Sequence, residues 1–545
     1  MMKNLYNNLW RILVAGFLLV ACTEDKGNYD YRNLTELEIS GVDDNISVLT
    51  HNRLQLTPDF GTSALPDDRY EFEWKVINQD IENEVETVIG NTRNLDYEVT
   101  LNADVYTLYF TVTEKDTGIY WQKNYTLTVS DTTSEGWMVL CSDEEGRARL
   151  DMVSKVTGDT YFDLLKNYSE ISQWKGPRKI QSLSSTMTDA QSPFYLLTDD
   201  GATRLGKNNF EWKEEYNFAY EAAANGASLR PYSITAAGLG KMIVSGKEAY
   251  YCERGMGIDG LYQSVVNKTF DVAPYVGANV AASMYVAVYL LYDTTNKCFM
   301  AYCPMMAYED LGSLEPLVTM DKMEEIATSF KGDNGVVHSV SYDYPEGYDY
   351  VYMENTKYDP GNAKMGTTYT ILTKDGRSYL YGIQLGDLLL YADCTYVLGK
   401  SYYGDLSGCT GIGEEGTLYA FSSLKNYMYY AVDNTVYRVD LSVSPLEAER
   451  QFALNGETIT CLKFNLYRES ANASRSYDLV VGSVDGAGKG ILRVYEGLES
   501  EGDFSSVTPE KYTGFARIVD ATYRERNLSL IHISEPTRRS YISYA

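Results

Sequence analysis

Histidine is almost missing from this chain: there are three in 545 residues, His51, His338 and His532. A Ser-His or Cys-His nucleophile needs an imidazole base, and a histidine metal site needs clustered ligands. Both chemistries have little to work with here. His338 lies in the strand-like run Val336-Val337-His338-Ser339-Val340, where a satisfied core or edge histidine accounts for it. No Cys-x-x-Cys pair occurs, which excludes a zinc ribbon and a dithiol redox motif. Cys141, Cys252, Cys298, Cys303, Cys394, Cys409 and Cys461 are widely spaced and odd in number, and several sit in apolar runs. Buried free thiols are expected. Basic residues are few, 47 Lys and Arg against 76 Asp and Glu, for a net charge of −29. Without a basic cluster to neutralise phosphates, a nucleic-acid partner is not expected; an acidic exterior suits a soluble secreted protein. Walker-type and dinucleotide glycine patterns are absent, and Gly482 to Gly490 lacks both the spacing and a following helix. Asp199-Asp200-Gly201 and Asp485-Gly486 fall short of a calcium loop and read as hairpin turns. Neither a metal nor a cofactor is expected.

What is present is a repeated hairpin. Its clearest copy is Thr368 to Leu385, where two apolar runs flank Asp375-Gly376, a pair suited to a turn with φ > 0 at both central positions. After the turn, Tyr379, Tyr381, Ile383 and Leu385 alternate with Ser378, Leu380, Gly382 and Gln384, the period of a strand. Seven such anchors begin at Gly136, Pro193, Lys241, Val286, Thr368, Thr417 and Asp478. From Trp137 to Asp478 their spacing averages about 57 residues, longer than the roughly 40–50 of ordinary propeller repeats, with the excess assigned to loops. One insertion, Leu314 to Lys331, places Met320, Met323, Ile326, Ala327 and Phe330 near helical spacing. Each hairpin is expected to bury one face and to stack on its neighbours, so the fold class is all-β, with a β-propeller of about seven blades over residues 132–527. No WD or kelch motif marks the blades, and two stacked sandwiches are the competing arrangement. The 49 tyrosines, against 16 Phe and 6 Trp, suit half-buried strands with a packed ring and a wet hydroxyl.

Residues 36–131 read as a separate β-sandwich of immunoglobulin type. Tyr70, Phe72 and Trp74 alternate with Glu71 and Glu73, and Tyr106-Leu108-Phe110-Val112 repeats the pattern. Trp74 is the expected core pin, and no cysteine lies between Cys22 and Cys141 to form an inter-sheet disulfide.

The N-terminus carries Lys3 and Arg11, then the apolar run Ile12 to Val20, too short to span a bilayer. It ends in Leu19-Val20-Ala21-Cys22, which resembles a bacterial lipobox. The resemblance implies that residues 1–21 are a lipoprotein signal peptide and that Cys22 is lipidated; an ordinary signal peptide that happens to meet a cysteine is the alternative. Glu24-Asp25 is similar to the surface-export signal of Bacteroidota lipoproteins. With Lys26-Gly27-Asn28-Tyr29-Asp30-Tyr31 in the tether 22–35, the opening resembles the PKD-like lipoproteins of that phylum. That resemblance implies an outer-membrane, lipid-anchored location facing the cell exterior and an association with SusC/SusD-like importers. Gly514-FARIVDATYRER resembles the closing strand of the same family. Leu528 to Arg538, LSLIHISEPTR, resembles a translated sequencing adapter, so residues 528–545 are set aside as a non-native tail.

No catalytic constellation stands out. Glu324-Glu325 and Glu414-Glu415 are adjacent acidic pairs that read as solvated loop charge. The resulting expectation is a non-catalytic surface lipoprotein that binds or presents a glycan or peptide nutrient to an importer. A propeller glycan hydrolase or lyase and an adhesion or scaffold protein remain as alternatives.

Overall fold

The Asp375-Gly376 turn forms as its composition dictates: Asp375 (φ 53°) and Gly376 (φ 75°) both occupy the left-handed region. The flanking strands Thr367–Lys374 and Arg377–Leu385 pair from Lys374↔Arg377 to Thr368↔Ile383. The computed structural model containing this hairpin describes residues 37–526, except 51, 62–64, 79–85, 184–193, 208–209, 239, 256–257, 280–285, 305–314, 330–335, 339, 361–364, 389–397 and 468–469. The expected signal peptide, the tether with Cys22, the adapter-like tail, His51, His532 and Cys394 therefore lie outside the described residues.

The chain divides into two compact units, one drawn from Met1–Ile46, Arg53–Tyr97 and Thr107–Thr126, the other from Ser47–Asn52, Glu98–Tyr106 and Leu127–Ala545. In the first, the alternation along Tyr70–Ile77 separates buried Phe72, Trp74 and Val76 from exposed Glu71 and Glu73. Trp74 is fully buried. Its ring lies 4.1 Å from that of Phe110, its partner on the adjacent strand, and its indole N–H donates to Thr92 O at 3.0 Å. A five-stranded sheet runs in the order Asn45–Leu49, Tyr120–Ser130, Asp104–Glu114, Tyr70–Ile77, Glu86–Gly90, and a smaller sheet pairs Arg53–Leu56 with Leu95–Glu98.

Among the described residues of the second unit, seven sheets of three to five strands follow one another along the chain, and a two-stranded sheet pairs Val286–Ala287 with Asp387–Leu388. Each of the seven contains one of the hairpins expected from sequence. Their central strand pairs are Gly136–Ser142 with Ala148–Ser154, Phe194–Thr198 with Ala202–Leu205, Gly240–Ser245 with Glu248–Gly255, and Tyr289–Asp293 with Cys298–Tyr302. The fifth is the Asp375-Gly376 hairpin, followed by Tyr427–Val432 with Thr435–Asp440 and Leu479–Asp485 with Gly490–Tyr495. The first sheet is completed by the last described strand, Arg517–Arg524, which pairs with Gly136–Ser142.

One expectation needs correction. The sheets do not bury a single face; apolar clusters cover both. In the fifth sheet Tyr381, Ile383 and Leu385 pack with Leu290, Tyr292 and Phe299 of the fourth, while Leu380 and Ile371 pack with Phe421, Met428 and Tyr430 of the sixth. Alternation here sorts residues between two cores rather than between core and water. The same holds around the set, and Trp137, Val139 and Ile518 of the first sheet pack with Val480, Leu492 and Val494 of the seventh. Burying a side chain of this size contributes about 1.5–3 kcal/mol, so each seam is a substantial core.

Two further points bear on the sequence reading. The helix in the long insertion, Met320–Ser329, begins later than the spacing suggested, because Leu317–Thr319 joins the fourth sheet as a strand; Leu314, Phe330 and Lys331 lie outside the described residues. Several tyrosines are fully buried rather than half-buried, with their hydroxyls satisfied internally: Tyr289 donates to Ala237 O at 3.1 Å, Tyr292 to Tyr348 O at 2.6 Å and Tyr430 to Thr410 O at 3.0 Å.

Candidate functional site

Side chains on the leading strands of successive sheets reach across to the next sheet. Ile234 N donates to Gln181 Oε1 at 2.8 Å, linking second sheet to third. Thr235 Oγ1 donates to Val276 O at 3.0 Å, linking third to fourth. Asn355 of the fifth sheet accepts from Ala278 N at 3.0 Å and donates to Val276 O at 3.0 Å. Glu354 Oε2 accepts from Phe421 N of the sixth at 3.2 Å. Asp520 of the first sheet accepts from Lys463 Nζ of the seventh at 2.7 Å and from Ile180 N of the second at 3.1 Å.

These bonds bring one charged cluster together from distant parts of the chain: Lys179, Glu354, Lys463 and Asp520, with Tyr275 and Tyr352. Lys179, Tyr275, Tyr352, Glu354 and Lys463 are all half-buried. Confinement governs their chemistry. Burial pushes the Glu354 carboxyl up to about 7, against hydrogen bonds from Tyr352 (3.0 Å) and Phe421 and the nearby charge of Lys179 that favour ionisation. Burial, aided by repulsion from Lys463, lowers the proton affinity of Lys179. For Lys463 burial acts the same way, but Asp520 outweighs it and the ammonium is held above its usual range. The Cys461 thiol beside them is pushed up to about 12 by burial and by Asp520, which makes it inert as a nucleophile.

A second candidate is a cavity of about 430 Å³ between the first and seventh sheets, lined in part by Glu135, Lys155, Arg475, Asp478 and Tyr523. Its volume suits a small ligand, but its charges already serve one another. Lys155 pairs with Glu510 at 2.8 Å, Tyr523 donates to Glu135 at 2.8 Å, and Arg475 lies 3.7 Å from Asp478 and 4.6 Å from the centre of the Tyr523 ring. Burial raises Asp478 to about 6.

Apart from Cys461, which borders the charged cluster, the described residues that the sequence singled out lie elsewhere. Cys22 lies outside the described residues. Cys141, Cys252, Cys303, Cys409 and Cys461 are buried and Cys298 is half-buried. His338 ends the strand Val336–His338, which runs parallel to Leu398–Asp405. Asp485 caps its turn by accepting from Ala487 N and Lys489 N, both at 2.9 Å. Glu324 and Glu325 sit on the helix, paired with Lys400 (3.2 Å) and Lys322 (2.6 Å); Glu414 and Glu415 are exposed. Among the described residues, no three His, Cys, Asp or Glu side chains come together as a metal site. The charged cluster was missed because its members are single residues scattered from Lys179 to Asp520, with no shared motif to join them. The available signal was a lysine or carboxylate inside an otherwise apolar strand, as in Ile459 to Phe464.

A family model described as the PKD-like family matches residues 22–176. No curated protein matches. Among solved structures, a quinonprotein alcohol dehydrogenase-like protein from Bacteroides thetaiotaomicron is 12% identical, covering 88% of this chain and 97% of that one, with a TM-score of 0.37. A yeast heterotrimeric nucleoporin complex is 10% identical over 69% of this chain and 97% of that one, TM-score 0.30. The WD40 domain of SCAP from fission yeast is 8% identical over 62% and 75%, TM-score 0.26.

Proposed function

We propose that this chain is a lipid-anchored surface protein, a PKD-like sandwich followed by a seven-bladed propeller, that binds a glycan or peptide nutrient without cleaving it. In this reading it presents the nutrient to a SusC/SusD-like importer. The carrying observation is the cluster of Lys179, Glu354, Lys463 and Asp520, drawn from four sheets, with Tyr275 from the segment just before Gly277–Ala278. Convergent polar groups beside an aromatic ring are what a recognition site requires. The propeller reading is supported by seven sequential sheets and by Arg517–Arg524 completing the first. The location rests on Leu19-Val20-Ala21-Cys22 and Glu24-Asp25. A tethered capture protein works at high effective concentration beside its importer.

The experiment is a pull-down from membranes in mild detergent, followed by incubation with candidate glycans and peptides and mass analysis. The expected result is co-purification with an importer and retention of an uncleaved ligand. Recovery of the protein without an importer would instead favour adhesion. One observation favours a second reading, a glycan hydrolase or lyase: a carboxyl raised to about 7 is suited to general-acid chemistry near neutral pH. Turnover abolished by Glu354→Gln would establish it.

A further inference from the structure

Within the cluster, one charge is left over. Both oxygens of Asp520 are engaged, one by the Lys463 ammonium at 2.7 Å and the other by Ile180 N at 3.1 Å. Glu354 Oε2 accepts from both Tyr352 Oη, at 3.0 Å, and Phe421 N, at 3.2 Å. Among the described residues, the Lys179 ammonium has neither a hydrogen bond nor an ion pair; it lies 5.5 Å from the centre of the Tyr275 ring. A half-buried ammonium with no direct anionic partner, only the more distant charges of Asp520 and Glu354, is costly, and a fold that keeps one in place gains when an anion arrives.

We infer that Lys179, supported by Lys463 and flanked by Tyr275, receives a carboxylate borne by a sugar ring. This rests on the binding role proposed above and adds the charge class of the ligand. Of the two carboxylates beside the two lysines, Asp520 already pairs with Lys463 at 2.7 Å and Glu354 is held by Tyr352 and Phe421 with burial raising its proton affinity, so neither is committed to Lys179. The Tyr275 ring, with the Lys179 ammonium over it at 5.5 Å from its centre, places an aromatic π cloud next to the charge, and a pyranose whose carboxylate met the ammonium would bring its slightly positive C–H face near that ring. Peptide C-termini, by contrast, are typically captured by nests of backbone amides, whereas the donors here are ammonium groups projecting from strands.

The test uses the full chain, purified in mild detergent, with tri-galacturonate and its neutral galactose counterpart as probes, read by calorimetric titration and by thermal midpoint. The wild type is expected to bind the acidic trisaccharide at least tenfold more tightly than the neutral one, with affinity falling as salt rises. Lys179→Met is expected to lose at least tenfold in affinity for the acidic probe while its ligand-free midpoint stays equal or rises, since it removes an unpartnered charge. Lys179→Arg, which keeps the charge, is expected to retain most of the binding. Equal affinity for both probes, no binding of the acidic probe, or wild-type binding by Lys179→Met would each overturn the inference. The wild-type comparison alone decides if a variant fails to fold. Retention of a neutral glycan together with an importer would leave the broader binding role standing.

Discussion

The Lys463 ammonium lies 2.7 Å from Asp520 Oδ1 and joins the seventh sheet to the strand that ends the described chain. Both side chains are largely buried, with 20% and 7% of their surfaces exposed. Breaking such a pair from one side leaves an uncompensated charge and costs about 3–5 kcal/mol. Asp520→Ala is therefore expected to lower the guanidinium midpoint sharply, and the double variant Asp520→Ala/Lys463→Met to recover part of the loss. Two independent, additive losses would show that the pair does not act as a unit.

Glu354 is expected to make stability fall with pH. Its folded proton affinity, raised to about 7, exceeds the ordinary value of 4.5. Between those values the folded state holds a proton that the unfolded state has released, so stability declines as pH rises through this window and levels off above it. Glu354→Gln keeps an oxygen to accept from Tyr352 and Phe421 but cannot ionise. Thermal midpoints from pH 4 to 8 are expected to show a shallower decline for this variant and a higher value at pH 8. Superimposable wild-type and variant profiles would remove Glu354 as the source.

Much of the second unit was legible because local rules act locally. Asp375-Gly376 specifies its own turn, and period-two runs such as Tyr379 to Leu385 specify strands. Trp74 as a core residue followed from its alternation with Glu71 and Glu73. What the sequence did not disclose is partnership. Nothing near Lys179 indicates that Tyr275 will face it, and nothing near Glu354 points to Phe421. Those meetings depend on how sheets stack, a non-local property. The reading of one buried face per hairpin failed for the same reason, since a strand does not reveal that a second sheet covers its other side.

The anchor is tested apart from the fold. If Cys22 in Leu19-Val20-Ala21-Cys22 takes the lipid, Cys22→Ser is expected to abolish labelling by a fatty-acid probe and to leave the protein unprocessed or released from the membrane. Each buried methylene of an acyl chain contributes about 0.8 kcal/mol, so losing several chains should shift the protein measurably into the soluble fraction. Undiminished label in the variant would rule the assignment out.

The two ends of the C-terminal region should behave oppositely. Arg517–Arg524 pairs along its length with Gly136–Ser142, and its Ile518, Ala521 and Tyr523 are buried against Trp137 and Cys141 of the same sheet and Val480 and Leu492 of the seventh. Removing it would strip one edge from the first sheet and open the apolar seam with the seventh. Ending the chain at Ala516 is therefore expected to leave an aggregation-prone protein without a cooperative thermal transition, because an unpaired strand edge and an apolar seam become exposed together. If residues from Leu528 are translated adapter sequence, as they resemble, they were never selected to pack, and ending the chain at Asn527 is then expected to leave the midpoint unchanged. Thermal unfolding of the two truncations side by side separates these contributions. A fall of several degrees on ending at Asn527 would mean that the tail occupies a structural place, and a stable, cooperative protein ending at Ala516 would mean that the first sheet does not depend on its last strand.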